Sequence, residues 1–145
     1  MPRVYISSVI DAPADRVWER VRDFNALPRW HPRIRDSRIE NGEPSDRVGC
    51  IRDFHLQNGD RIREKLLGLS DYDMFCTYSI LESPMPLTDY IATLRLTPIT
   101  DGNRTFAEWT AEFDCDDSEA EGLVGGIGND VFQAGFAALQ RSLAR

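Results

Sequence analysis

The sequence predicts an α+β fold in which one antiparallel sheet of seven strands packs against a long C-terminal helix. The first observation is a β-rich segment followed by a segment with helical periodicity. The second is a series of six alternating segments separated by short turns, which must pair antiparallel because parallel strands need a longer crossover. The third is an apolar stripe at helical spacing near the C-terminus. The length of 145 residues suits a single domain, 1–145, with one core.

The N-terminal segments predict one strand and two short helices. Residues 3–10 are rich in β-forming side chains and predict the first strand. Apolar residues of segment 11–24 recur at helical spacing, and Pro13 suits the first turn of a helix. Segment 25–32 carries two prolines and predicts a short, irregular helical turn.

Turn sequences then separate the remaining strands. The candidate strands are 34–41, 47–56, 61–70, 72–81, 88–97 and 104–115. Their turns include the pairs Asn41-Gly42 and Asn58-Gly59, which are typical of hairpins. Alternation assigns an inward face to each strand and places Tyr78, Tyr90 and Trp109 on it. Those aromatic side chains could offer hydroxyl or indole donors to a ligand, or simply fill the core.

The hairpin at Gly59 has two possible registers. A two-residue turn would place apolar residues opposite cations on one face. A three-residue turn with Gly59 in the left-handed conformation pairs Phe54 with Ile62 and gives one coherent apolar face, so we prefer it. This register places Arg52 opposite Glu64 on the inward face. Such a pair is either a structural ion pair near the sheet rim or a polar anchor for a ligand in an apolar cavity.

The last segment predicts a long helix that contains a glycine-rich run. Ser118 and Glu121 have the spacing of a capping box. The apolar stripe consists of Val124, Ile127, Val131, Phe132, Phe136, Leu139 and Leu143. The run 122–128 lacks the GK[ST] ending and the βαβ unit of a phosphate loop, and acidic residues precede it. Either the helix breaks or kinks near Gly125-Gly126, or it stays intact and the glycines form a bare wall.

Composition and charge exclude several classes of protein. A net charge of −7 argues against a nucleic-acid binder, which needs a positive field. No apolar run approaches the ~20 residues that span a bilayer, and no signal peptide is recognisable, so we expect no stable membrane insertion. The three cysteines form no CxxC pair, which predicts a reduced, cytoplasmic protein without a disulfide framework. Val9 or Ile91, if exposed, could support a homodimer, so monomer and homodimer both stay open.

Several short motifs, in their order along the chain, resemble those of a known superfamily. The motifs are Ile10–Trp18, Trp30-His31-Pro32, Gly49–Arg52, Arg63–Leu66, Ser83–Tyr90 and Glu108-Trp109. Over nearly its whole length the chain is similar to the START-related, polyketide cyclase/dehydrase-like superfamily, which also includes pollen allergens. The resemblance implies a helix-grip fold, in which a strongly curved sheet surrounds the C-terminal helix and encloses a cavity. It also implies that the loop at Ser83–Leu87 gates the cavity mouth, although an ordinary hairpin connection fits the same residues equally well. The resemblance favours an intact helix at the glycines.

The resemblance and the inward-facing residues together give a candidate site. The candidate ligand-binding residues are Trp30, His31, Arg52, Phe54, Glu64, Tyr78, Pro84, Tyr90, Trp109, Gly126, Phe132 and Phe136. His31 is a candidate acid or base at the cavity entrance, although a histidine in such a place is more often a surface or rim residue. Glu64 is a second candidate if burial raises its pKa, which Arg52 would oppose. Metal-hydrolase and serine-triad motifs are absent, so we expect no metal and no cofactor.

Three functions are compatible with this site. The first is a carrier or sensor that binds a hydrophobic or amphipathic small molecule, such as a lipid, polyketide or aromatic compound. The second is an enzyme of the polyketide cyclase, aromatase or dehydratase kind that moves protons with cavity residues. The third is a protein-interaction or stress-related module with an incidental cavity. An enzyme needs a free titratable group facing the cavity, whereas a carrier does not.

Overall fold

All seven predicted strands form one antiparallel sheet. The computed structural model describes residues 1–145. Its strands are β1 (Arg3–Ile10), β2 (Ile34–Ile39), β3 (Ile51–Leu56), β4 (Arg61–Ser70), β5 (Phe75–Glu82), β6 (Thr88–Ile99) and β7 (Arg104–Asp114). Their order in the sheet is β1-β7-β6-β5-β4-β3-β2. Consecutive strands from β2 to β7 are neighbours, as short turns require, and β1 closes against β7.

The helices lie where the sequence predicts them. Two short helices, α1 (Ala14–Val21) and α2 (Leu27–Trp30), follow β1. The C-terminal helix comprises α3 (Asp117–Gly126), a π-helical segment (Ile127–Gln133) and α4 (Ala134–Leu143). It is therefore continuous through the glycines, and its turns widen after Gly126, in a segment that contains Gly128. The curved sheet, the long helix and the two short helices confirm the predicted α+β, helix-grip architecture.

Two predicted helix starts differ from the structure. The capping box at Ser118 is wrong: the helix begins at Asp117, so Ser118 already lies within its first turn. Asp116 is the N-cap residue, and its side chain makes no capping hydrogen bond; instead its backbone carbonyl accepts from Glu119 N at 2.9 Å. Pro13 lies at the N-cap of α1 rather than inside the first turn. Neither shift changes which face of the helix is buried.

The β3–β4 hairpin has the three-residue register that the apolar pattern favours. Phe54 pairs with Ile62 and Arg52 with Glu64. Gly59 has a φ of 94°, the left-handed conformation that this turn requires. The register is therefore confirmed, and it turns both Arg52 and Glu64 toward the interior, where both are buried.

The core lies between the concave face of the sheet and the C-terminal helix. The second half of the helix fills this space with Phe132, Phe136, Leu139 and Leu143, all of which are buried. By contrast, α3 contains no buried residue. No helix is both long enough and apolar enough to cross a bilayer.

Candidate functional site

A cavity of about 260 Å³ lies between the sheet and the first half of the C-terminal helix, and most of its lining side chains are hydrophobic. Nine predicted site residues line it: His31, Arg52, Phe54, Glu64, Tyr78, Pro84, Tyr90, Trp109 and Gly126. Trp30, Phe132 and Phe136, also predicted, are not among the lining residues. Alternation on neighbouring strands explains why Arg52, Phe54, Glu64 and Tyr78 converge, because each points to the concave face.

Arg52 and Glu64 form a buried ion pair in the cavity wall. Arg52 Nε and Nη2 lie 2.8 and 2.7 Å from the same carboxylate oxygen, Glu64 Oε1. Arg52 Nη1 also donates to the Phe24 carbonyl at 3.1 Å. The guanidinium carbon lies 3.9 Å from the centre of the Phe24 ring and 4.8 Å from that of Tyr78. The cation is thus held by hydrogen bonds and by two aromatic rings.

The Glu64 carboxyl has one engaged oxygen and one free oxygen. Burial raises its pKa, and the adjacent Arg52 guanidinium limits the rise. Both bonds from Arg52 end on Oε1, so Oε2 accepts no hydrogen bond from the protein. No fully buried side-chain oxygen or nitrogen of the protein lacks a partner, so Oε2 is an atom that solvent in the cavity can reach. Oε2 is therefore available to a ligand.

His31 is buried and both of its ring nitrogens are bonded. Nε2 lies 2.7 Å from the Val131 carbonyl and must donate to it, while Nδ1 accepts from Arg33 N at 3.2 Å. This arrangement requires the neutral ring with its proton on Nε2. Burial lowers the pKa of His31, which also favours the neutral form. The side chain is neither at a solvent-exposed rim nor free to exchange a proton with a ligand.

Three aromatic side chains on the sheet supply further polar atoms. Trp109 Nε1 donates to the Tyr78 hydroxyl at 3.0 Å. The Tyr78 hydroxyl, which accepts from Trp109, can donate to the Tyr90 hydroxyl. Tyr90 lines the cavity, and its own O–H donates to no acceptor of the protein. Burial raises the pKa of both tyrosines, so both hydroxyls keep their protons at neutral pH. The wall therefore offers neutral hydroxyls that can donate as well as accept.

The three predicted residues outside the lining pack around Trp109. Ring centres of Trp30, Phe132 and Phe136 lie 5.9, 4.4 and 5.7 Å from that of Trp109. The Phe132 ring is stacked on Trp109 at an interplanar angle of 10°. These rings fix the orientation of Trp109, which itself lines the cavity.

The cavity mouth carries charged and proline-rich elements. Arg33 Nη2 lies 3.4 Å from Asp130 Oδ1, and this half-exposed pair joins the start of β2 to the π-helical segment. Pro84 and Met85 of the predicted gate also line the cavity, and Ser83 Oγ accepts from Met85 N at 3.1 Å. The predicted gating role of this loop stays a prediction.

Sequence reasoning missed part of the lining. Leu56, Ile62 and Ile80 lie on inward strand positions, so the alternation of their strands could have identified them. Arg33, Asp130 and Val131 carry no such signal, because they come from a loop and a helix that meet only in the folded chain. The structure contains no cluster of three His, Cys, Asp or Glu residues that could hold a metal ion.

Solved structures show the same architecture. XoxI from Bacillus cereus is 29% identical and has a TM-score of 0.87, with 99% of this chain and 96% of that chain covered. A protein from Thermobifida fusca is 31% identical with a TM-score of 0.88, covering 98% and 93% of the two chains. Major latex-like protein 151 from Panax ginseng is 12% identical with a TM-score of 0.80, covering 99% and 97%, and this likeness shows the fold alone.

The sequence comparison identifies the family. No protein with a curated description matches the chain. Residues 1–145 match the family model described as "Polyketide cyclase / dehydrase and lipid transport". The match spans the full sequence and agrees with the helix-grip architecture of the similar structures. The chain therefore belongs to the polyketide cyclase/dehydrase and lipid transport family.

Proposed function

We propose that the protein binds a hydrophobic or amphipathic small molecule in this cavity and acts as its carrier or sensor. The observation that carries the proposal is the mainly apolar cavity of about 260 Å³ with a small number of polar groups in its wall. Ligand sites of proteins have this composition, in which apolar burial supplies affinity and a few polar atoms set orientation. Burial contributes roughly 25 cal/mol per Å² before the cost of association.

The cavity volume sets the size of the ligand. An apolar cavity of about 150 Å³ is large enough to bind benzene, and sites for drug-sized molecules begin near ~300 Å³. A cavity of about 260 Å³ lies between these values. It suits a compound of one or two rings, or the end of a chain whose remainder leaves through the mouth.

The bonds that His31 and Glu64 make within the protein favour a binding function over catalysis. His31 uses both ring nitrogens within the protein, and Glu64 is paired with Arg52. His31 has no free ring nitrogen that could reach a substrate proton. Glu64 Oε2 does face the cavity, but the adjacent Arg52 guanidinium favours the ionised carboxylate and makes it a weak base. The cyclase, aromatase or dehydratase alternative would regain support from turnover of a bound compound that is lost in Glu64→Gln.

Native mass spectrometry of protein purified from its own host tests the proposal. We expect an adduct in the mass range of a one- or two-ring compound or a short lipid, released on denaturation. Gly126→Leu should abolish the adduct because its side chain would enter the cavity. Gly125→Leu is the matched control, since Gly125 is the adjacent residue and does not line the cavity. An adduct retained equally in both variants, or no binding of any apolar probe, would overturn the proposal.

The cytoplasmic location and the oligomeric state stay predictions. Ile91 and Val9 are exposed on the outer face of the sheet, at half or slightly less of their full accessibility. Light scattering of the purified protein distinguishes monomer from homodimer, and fractionation of the host cell tests the location.

A further inference from the structure

We infer that the ligand carries a neutral hydroxyl group that faces Glu64 and Tyr90, and that the cavity selects against the corresponding carboxylate. The inference rests on the proposed function, because it specifies which apolar compounds the same cavity prefers. Three features of the cavity wall support the inference. They are the Arg52 cation, which is already paired, the Glu64 Oε2 atom, which is free to accept a hydrogen bond, and the net charge of the lining residues.

The only buried cation of the cavity is not available to an anionic ligand. Three of the nitrogens of Arg52 already bind Glu64 and the Phe24 carbonyl, and the rings of Phe24 and Tyr78 lie within 5 Å of its guanidinium carbon. A ligand carboxylate would have to compete with Glu64 for this guanidinium charge. Displacement of Glu64 would leave its carboxylate buried without its partner, which is strongly unfavourable.

The free polar atoms of the wall match a hydroxyl group. Glu64 Oε2 can only accept while the carboxyl is ionised, and it accepts nothing from the protein. The Tyr90 hydroxyl is protonated and can accept from Tyr78, but its own O–H has no acceptor in the protein, so it can donate to a ligand oxygen. A ligand hydroxyl donates to Oε2 and accepts from Tyr90, which satisfies both atoms at once. Hydrogen bonds to a charged acceptor are the stronger kind.

The charges around the cavity also disfavour an anion. Its charged lining residues are two arginines, Arg33 and Arg52, against three carboxylates, Asp60, Glu64 and Asp130. A ligand carboxylate would add a second negative charge beside Glu64 and lose its hydration. An ammonium group would also lose its hydration, and the charge of Glu64 is already balanced by Arg52. A neutral hydroxyl avoids both costs.

Calorimetric titration at pH 7 with 2-naphthol, naphthalene and 2-naphthoate tests the inference, because the three probes share one ring system. We expect 2-naphthol to bind about tenfold more tightly than naphthalene, from the hydrogen bond to a charged acceptor, and at least about tenfold more tightly than 2-naphthoate. Tyr90→Phe should weaken 2-naphthol about fivefold and leave naphthalene unchanged. Tyr72→Phe is the control, since Tyr72 is 96% exposed and outside the cavity.

Glu64→Gln supplies the sharpest comparison. It leaves Arg52 buried without a counter-ion, so 2-naphthoate should now bind more tightly than 2-naphthol and should restore part of the lost thermal stability. If this variant does not fold, the titrations of the wild type and of Tyr90→Phe still decide the question. Equal affinity for naphthalene and 2-naphthol, or tighter binding of 2-naphthoate to the wild type, overturns the inference and leaves the proposed function standing. Failure of all three probes to bind counts instead against the proposed function.

Discussion

The two halves of the C-terminal helix meet the sheet in opposite ways. From Gly122 to Val131 the helix borders a cavity, whereas from Phe132 to Leu143 its apolar side chains are buried against the sheet and the short helices. Both halves contain glycine, so the residue type alone does not tell them apart. The difference teaches that glycine can keep a space empty in one place and permit close packing in another.

The surroundings of each glycine show the contrast. A Cβ atom on Gly122 or Gly126 would meet no atom within 4 Å, and both residues line the cavity. A Cβ atom on Gly135 would lie 3.0 Å from the His31 ring and 3.1 Å from rings of Trp30 and Trp109. Gly122 and Gly126 therefore leave room for a ligand, whereas Gly135 allows the helix to approach the rings of Trp30, His31 and Trp109 closely.

The largest effect is expected from Gly135→Leu in the packed half. A side chain there would push against three rings that are themselves packed, and such overpacking costs about 3 kcal/mol of the free energy of unfolding. Urea denaturation measures the loss. Stability equal to that of the wild type would show that the three rings can move to accommodate the side chain. The packing around the two halves of the helix would then differ less than we infer.

Gly126→Leu in the cavity half should have the opposite effect on stability. Because nothing opposes the new side chain and leucine is the better helix former, the free energy of unfolding should stay constant or rise by up to about 1 kcal/mol. Uptake of 2-naphthol should fall by about tenfold or more as the side chain occupies the cavity. Gly125→Leu, measured by the same denaturation and titration, should show the same small change in stability but should keep the uptake of the wild type, because Gly125 does not line the cavity. Loss of folding in Gly126→Leu would contradict the assignment of this residue to an empty wall.

His31 joins the two halves and should make stability depend on pH. Burial lowers its pKa in the folded state, so below pH 6.5, its ordinary value, the unfolded chain binds the proton more readily. The contribution of His31 to the free energy of unfolding is fully present above pH 6.5 and is lost as the pH falls below this value. The free energy of unfolding then changes by up to about 1.4 kcal/mol per pH unit. Urea denaturation between pH 7 and 5 should show this slope in the wild type.

Two histidine variants sharpen the test. His31→Gln keeps an amide donor for the Val131 carbonyl and removes the titrating ring, so its stability should vary less with pH in this range. His55→Gln is the control, because His55 lies on the outer face and bonds Asp36. An unchanged slope in His31→Gln would assign the pH dependence to other groups.

The smallest effect is expected from Ser118→Ala at the start of the helix. Ser118 lies within the first turn and is not the capping residue, so its substitution should change the free energy of unfolding by less than about 0.5 kcal/mol. A true capping serine would cost about 1 kcal/mol. Thermal or urea denaturation that finds the larger value would restore the capping box that the sequence indicated.

The features of this molecule that the sequence predicts are those that depend on local patterns. The sheet order from β2 to β7, the Gly59 turn and the pairing of Arg52 with Glu64 follow from alternation and turn chemistry, which act between neighbours in the chain. The inward faces of Tyr78, Tyr90 and Trp109 follow from the same rule. The pairing of β1 with β7 joins distant segments and has no such local signal.

The remaining features depend on contacts between distant segments. The bond from His31 to Val131 joins residues 100 positions apart, and no spacing in the sequence signals it. The widened π-helical turns after Gly126 likewise have no local pattern that predicts them. No sequence pattern distinguishes Gly135, because an isolated glycine has the same sequence signature whether it faces a void or an aromatic ring. The helix start at Asp117 was missed because several acidic residues there are equally good candidates.

The most direct test of the central claim is an NMR titration of the isotope-labelled protein with 2-naphthol, followed at the indole N–H resonances. Trp109 lines the cavity and donates to Tyr78, whereas Trp18 donates to Asp71 at 2.8 Å outside it. We predict that the Trp109 resonance and the amides of Gly122 and Gly126 shift on titration while the Trp18 resonance stays in place. Unmoved resonances, or shifts confined to Trp18 and its neighbours, would contradict the claim that this cavity binds the ligand.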